Sequence, residues 1–186
     1  APESLAGSAS GTVALRPVAA PGGKASVAFL GAGNYAGRVL IPAFKAAGAD
    51  LRTVVSAGGA SAVHFGKKFG FANASSDAEA ALADPEVDTA VIATRHDAHA
   101  RLVIAALRAG KHVFCEKPLC LTLDELAGIE AEAARHADRL LMVGFNRRFA
   151  PQVVRMRELL GTLGEPKSFI VTVNAGAIPP SHWTQD

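Results

Sequence analysis

Val27-Ala28-Phe29-Leu30-Gly31-Ala32-Gly33-Asn34-Tyr35-Ala36 carries a short apolar run straight into a glycine-rich turn, and a helical pattern through Val39, Leu40, Ala43 and Phe44 follows it. Strand, turn and helix in that order are the context in which such a turn binds a dinucleotide. Gly31 permits the tight turn, Gly33 lets the backbone approach a pyrophosphate, and Ala36 is small enough for the helix to pack closely on the strand. Asn34 and Tyr35 complete the turn, so that phosphates would meet the free N–H groups and the positive end of the helix. The predicted fold class is α/β, a doubly wound parallel sheet of the Rossmann type.

The rest of the chain agrees. Its 186 residues are 49% hydrophobic and 6% aromatic, which suits one domain and part of a second. A net charge of +2, with the basic residues scattered, points to neither nucleic acid nor a membrane surface as partner. No apolar run reaches the roughly eighteen residues of a membrane helix, and no basic segment with a hydrophobic stretch opens the chain, so a cytoplasmic protein is expected. Cys115 and Cys120 fit no common zinc spacing and have no second pair, so no metal site is expected. Both are read as small buried side chains.

Residues 1–24, rich in Ala, Ser, Gly and Pro, read as a linker or tail in which only Thr12-Val13-Ala14-Leu15 is able to bury anything. From residue 25, apolar runs alternate with helical patterns, and strands are predicted at 25–30, 51–56, 88–93, 112–115 and 139–143. Ser76 with Glu79, and Thr122 with Glu125, are read as capping boxes, with Leu121 and Leu126 as a staple on the second. Pro42 falls inside the first helix, where an unaccommodated proline costs about 3 kcal/mol, so a kink is expected. The dinucleotide-binding domain is placed at 25–150. Residues 151–186 are read as a connecting helix and then a strand, Phe169–Val173, of a truncated α/β substrate domain that one strand cannot complete. The chain thus reads as a fragment.

An NAD-preferring site places Asp or Glu at the carboxyl end of the second strand. Here that end reads Val54-Val55-Ser56-Ala57-Gly58-Gly59, and Asp50 lies at the opposite end. Ser56 and nearby amides are candidates for holding a 2'-phosphate, with Lys67 or Lys68 supplying charge, although both lysines also read as solvated helix positions. The cofactor expected is NAD(P), with a lean to NADP.

In order and spacing, the glycine turn, Val91-Ile92-Ala93-Thr94, His99, Ala109-Gly110-Lys111-His112-Val113, Glu116-Lys117-Pro118 and Gly144-Phe145-Asn146-Arg147-Arg148-Phe149 resemble the glucose-fructose oxidoreductase, inositol dehydrogenase and rhizopine-catabolism (Gfo/Idh/MocA) family. Gly-Asn-Tyr-Ala, Thr-Arg-His-Asp-Ala-His and Ile-Pro-Pro-Ser-His-Trp look like a subgroup fused behind a zinc-type alcohol-dehydrogenase-like domain. The resemblance implies an NAD(P)-dependent oxidoreductase acting on a sugar, cyclitol or related polyol, and a homo-oligomer when full length. It implies that Lys117 contacts the reacting oxygen, that the Lys117–Pro118 bond is cis, and that Glu116 lines the cofactor pocket. Thr94 and His96 would end the strand before the nicotinamide half of the site, with Arg148 and Trp183 approaching the nicotinamide.

The family usually carries Pro and Asn where Arg95 and His96 stand. His99 reads either as a helix-face histidine held by local hydrogen bonds or as a catalytic group. The family's remaining acid or base would lie beyond Asp186, and hydride transfer needs a group that moves the hydroxyl proton. The 186 residues alone are therefore expected to bind cofactor and turn over poorly. A non-catalytic NAD(P)-sensing module that regulates a partner domain is the alternative reading.

Overall fold

The structure is a computed structural model that describes residues 11–17, 23–161, 164–174 and 176–179. Two units divide the chain, Ala1–Phe145 and Asn146–Asp186. In the first, the elements are β1 Thr12–Ala14, β2 Ser26–Leu30, a π-helical turn Ala36–Leu40 running into α1 Ile41–Ala46, β3 Asp50–Val55, α2 Ala60–Phe69, β4 Asn73–Ser75 and α3 Ala78–Ala83. They continue as β5 Thr89–Ile92, a 3-10 turn His96–Ala98, α4 His99–Arg108, β6 His112–Cys115, α5 Leu123–Arg135 and β7 Leu141–Val143. The strands form one seven-stranded sheet in the order β1-β4-β3-β2-β5-β6-β7. Every pairing is parallel except that of β1 with β4.

β2 is buried along its whole length, and its side chains feed two cores with the period of a strand. Ala28 and Leu30 join Ala90, Ile92, Val103 and Leu107 on the α3–α4–α5 side. Val27 and Phe29 join Val54, Val91, Ile41 and Phe71 on the α1–α2 side. There Phe29 meets Phe44 and Phe71 edge to face at ring separations of 5.4 and 5.8 Å, the arrangement that aromatic quadrupoles favour.

Pro42 is accommodated by the turn before it. The Ile41 N–H donates to the Ala36 carbonyl across a wider π turn, and Pro42 sits in the first turn of α1. Widening the turn relieves the clash that a proline ring makes in a regular helix. A π turn ahead of Pro42 stands where a kink was expected.

Three expectations are corrected. Thr12–Leu15, inside the segment read as linker or tail, belongs to the fold: β1 covers the β4 edge, Leu15 donates to the Ala72 carbonyl at 2.7 Å and packs over Gly66. Arg16 bridges Asp50 at 3.0 Å, anchoring the same segment. The cap of α3 is Asp77, whose carboxylate accepts from the Glu79 and Ala80 amides, in place of Ser76; an Asp one residue closer to the helix takes both donors. Phe169–Val173 forms no strand, because no neighbouring strand among the described residues pairs with its backbone. By contrast, the Thr122–Glu125 capping box is present in full. In the second unit, a 3-10 turn Asn146–Phe149 precedes α6, Pro151–Leu160. No helix among the described residues is long and apolar enough to cross a membrane.

Leu15→Ala should lower stability by about 1–2 kcal/mol, for the apolar area it returns to water. Val13→Ala, at a side chain 55% exposed, should stay within about 0.5 kcal/mol. Urea unfolding of both variants separates a docked strand from a passive tail, for which neither would matter.

Candidate functional site

Strand order reverses between β2 and β5, since the chain proceeds from β2 to β3 and β4 on one side and from β5 to β6 and β7 on the other. A crevice opens at the carboxyl ends of strands at such a point. Gly31 sits at its head with φ +105°, and a Cβ built there would collide with the Ala93 carbonyl and lie 2.8 Å from the Thr94 nitrogen. Only glycine combines that dihedral with so close an approach. The Gly31 N–H donates to the Val55 carbonyl at 3.0 Å, so one residue joins the ends of three strands.

Gly33 behaves differently. It is exposed, and a Cβ built on it meets nothing within 4 Å; it borders an open cradle. Asn34 and Tyr35 are exposed and Ala36 is buried. Helical residues begin at Asn34, directly after Gly33, and the Gly37 N–H donates to the Gly33 carbonyl at 2.9 Å; the N–H groups that precede the first such bond are those a helix start offers to an anion. An open surface at Gly33 against an uncapped helix start fits a pyrophosphate, and Gly31, Gly33, Asn34, Tyr35 and Ala36 are the residues that would hold one. Gly37 was missed in the sequence: a Cβ there would lie 2.5 Å from the Phe65 ring, so it is Gly37 that lets α2 close against this helix.

Ser56 ends β3. Its hydroxyl accepts from the Ala62 amide at 3.1 Å and caps α2 in place of Gly59, which has no side chain to do so. Lys67 and Lys68 lie in the last turn of that helix, on the order of 12 Å along the axis from its start, and the Lys68 ammonium sits over the Phe69 ring at 5.2 Å. The charge expected beside Ser56 is therefore at the other end of α2.

On the far side of the crevice stand the loops after β5 and β6. Thr94 and His96 are half-buried and Lys117 is exposed; the Lys117–Pro118 bond is cis. The His96 pKa is lowered, first by burial and then by the charges of His99 and Lys117, with Asp97 opposing. Burial raises the Glu116 pKa, while the Lys117 amide and ammonium and the His99 charge hold it down. Glu116 Oε1 is buried without a hydrogen-bond partner, and a Cβ at Gly144 would lie 2.8 Å from it. Gly144 thus makes room for the carboxyl, a role signalled in the sequence only by a glycine directly after a strand. Cys115 is buried and its thiol is pushed up to about 12, chiefly by desolvation; Cys120 is half-buried.

His99 is wholly buried. Its Nδ1 faces the Pro118 carbonyl at 2.6 Å and its Nε2 the Thr94 carbonyl at 3.2 Å. Of the two readings open for it, local hydrogen bonds describe it, but they join two different loops. Arg148 lies exposed in the second unit, and Trp183 falls outside the described residues.

A model of an oxidoreductase family with an NAD-binding Rossmann fold, Gfo/Idh/MocA, matches residues 25–145. The chain is 38% identical over 116 residues to a myo-inositol 2-dehydrogenase of Thermotoga maritima, covering 61% of this chain and 34% of that protein. Among solved structures, scyllo-inositol dehydrogenase from Lactobacillus casei with bound NAD(H) and scyllo-inositol superposes with a TM-score of 0.67 at 25% identity, over 74% of this chain and 41% of that one. KijD10, a 3-ketoreductase from Actinomadura kijaniata in complex with NADP, gives 0.69 at 28%, over 74% and 42%. The chain therefore spans less than half the length of these relatives.

Gly31→Ala should cost about 2–4 kcal/mol through strain and overpacking, while Gly33→Ala should leave stability within about 0.5 kcal/mol and weaken NAD(P)H binding about tenfold by obstructing the phosphate. Thermal unfolding and fluorescence titration read the two effects. A carboxyl whose folded pKa is raised binds its proton more tightly when folded, so its contribution to stability falls as pH rises from the ordinary carboxylate value through the folded value. Glu116→Gln should accordingly raise the unfolding temperature near pH 7 and lose that advantage below about pH 4.

Proposed function

Because the chain belongs to the Gfo/Idh/MocA oxidoreductase family and carries its NAD-binding Rossmann fold, we propose that it is the cofactor-binding portion of an NAD(P)-dependent dehydrogenase acting on a hydroxyl of a sugar, cyclitol or related polyol. The observation that carries this reading is the placement of an exposed lysine, Lys117, directly beyond β6 on the same sheet edge as the uncapped turn at Gly33.

A bound nicotinamide would supply the hydride acceptor or donor. Lys117 donates a hydrogen bond to the reacting oxygen and stabilises the alkoxide that develops there. His96 has its pKa lowered by burial and so remains neutral at pH 7, offering one donor and one acceptor for positioning. Thr94 and Glu116 line the same half of the crevice. The group that takes the hydroxyl proton and the surface for homo-oligomer assembly belong, on the family resemblance, to the part of the relatives' length that this chain does not span.

The lean to NADP is part of the proposal. It is supported by the absence of an acid from Ser56 to Gly59 and by the glycine-lined start of α2, where a 2'-phosphate would meet backbone amides and the helix dipole. The position of Lys67 and Lys68 means that those amides, rather than lysine charge, would provide the contact.

In the full-length protein, Lys117→Met should lower kcat by about 100-fold or more while NAD(P)H affinity changes less than about threefold. Steady-state rates against inositols and reducing sugars, together with fluorescence titration, make the comparison. An unchanged rate would remove Lys117 from the chemistry.

A further inference from the structure

His99 begins α4, yet it is wholly buried, and each of its ring nitrogens faces a carbonyl oxygen from a different loop. Pro118 belongs to the loop that carries Lys117, and Thr94 to the loop after β5. An acceptor cannot approach another acceptor to 2.6 Å, so Nδ1 is the nitrogen that carries a proton and donates to Pro118. Nε2 lies 3.2 Å from the Thr94 carbonyl on the other side of the ring. Around the ring lie His96, 5.7 Å away between ring centroids, and Glu116, whose carboxyl senses the His99 charge.

Ala98, Leu119 and Cys120, next to the two residues joined by the Nδ1 contact, pack against the core. Nothing in the helix demands a histidine at its first position, which follows the N-cap residue Ala98. The geometry points to His99 as a positioning residue that ties the Glu116-Lys117-Pro118 loop to the β5 loop, and so fixes the Lys117 ammonium relative to Thr94 and His96. This rests on the dehydrogenase reading for its catalytic consequence, though not for the tie itself. Losing the tie leaves Lys117 chemically intact and displaces it, and a displacement on the order of 1 Å costs about 100-fold in rate.

Three measurements on the full-length protein test this. Histidine-ring proton–nitrogen correlation spectra should show one Nδ1–H that exchanges slowly and disappears in His99→Gln; an unprotonated Nδ1 on His99 overturns the tie. His99→Phe keeps the ring volume and loses both ring nitrogens, and His99→Gln restores one N–H donor. The expected order of kcat is wild type, then Gln, then Phe, with Phe lower by about 100-fold and NAD(P)H affinity within about threefold of wild type. Rates per folded molecule equal across the series, or losses that follow only the folded fraction, overturn it. Amide exchange at residues 94–98 and 117–120 should quicken in His99→Phe even if the wild-type protein binds no NAD(P)H, so a failure of the dehydrogenase reading shows separately. Unchanged exchange there contradicts the tie whatever the protein catalyses.

Discussion

Everything at the carboxyl edge of the sheet depends on the contact of the Gly31 backbone with the Ala93–Thr94 peptide. A side chain at residue 31 would push β2 and β5 apart where the strand order reverses. With none, the two strand ends close to van der Waals contact. The helix beginning after Gly33 then aims its free N–H groups over the crevice. The π turn before Pro42 continues the same constraint, with Ala36 and Ile41 packed while Asn34 and Tyr35 at the helix start stay exposed.

Buried polar groups hold the opposite side in place. Lys111 is buried and its ammonium donates to the Asp84 and Val87 carbonyls at 2.8 and 2.6 Å, which pins the α4–β6 turn to the loop before β5. His112 Nδ1 accepts from the Leu140 amide at 3.0 Å and locks the start of β7. Arg52 pairs with Asp84 and Glu86. The Gly-Lys-His-Val-Phe-Cys-Glu-Lys-Pro stretch therefore does two jobs: its first half is scaffold, and its second half faces the crevice. Partnered buried charges of this kind are worth more as fixed geometry than as net stability.

The sequence made the parallel core legible because β2, β5 and β6 are apolar and bounded by glycine or capping residues. It concealed β4, since Asn73-Ala74-Ser75 has no apolar alternation and exists only by pairing with β3 and β1. It concealed β1 for a related reason: Thr12–Ala14 is partly exposed, and its docking rests on Leu15 and Arg16. Asp77 over Ser76 at the α3 cap is a one-residue choice decided by backbone geometry. Within the site, spacing singled out Gly31 and Gly33 and the family resemblance Glu116, whereas Gly37, Gly144 and the two-loop contacts of His99 depend on approaches across distances in sequence that no local pattern records. The Ser56 hydroxyl was found, but its bond to Ala62 was not, because it depends on how the chain turns at Gly59.

The central claim is that the turn from Gly31 to Ala36 cradles a dinucleotide pyrophosphate. Backbone amide shift mapping of this 186-residue chain during titration with NADH and NADPH tests it most directly. The account predicts saturable changes centred on residues 31–36 and extending to Thr94 and His96. Saturation with the largest changes elsewhere, or none at the turn, would contradict it.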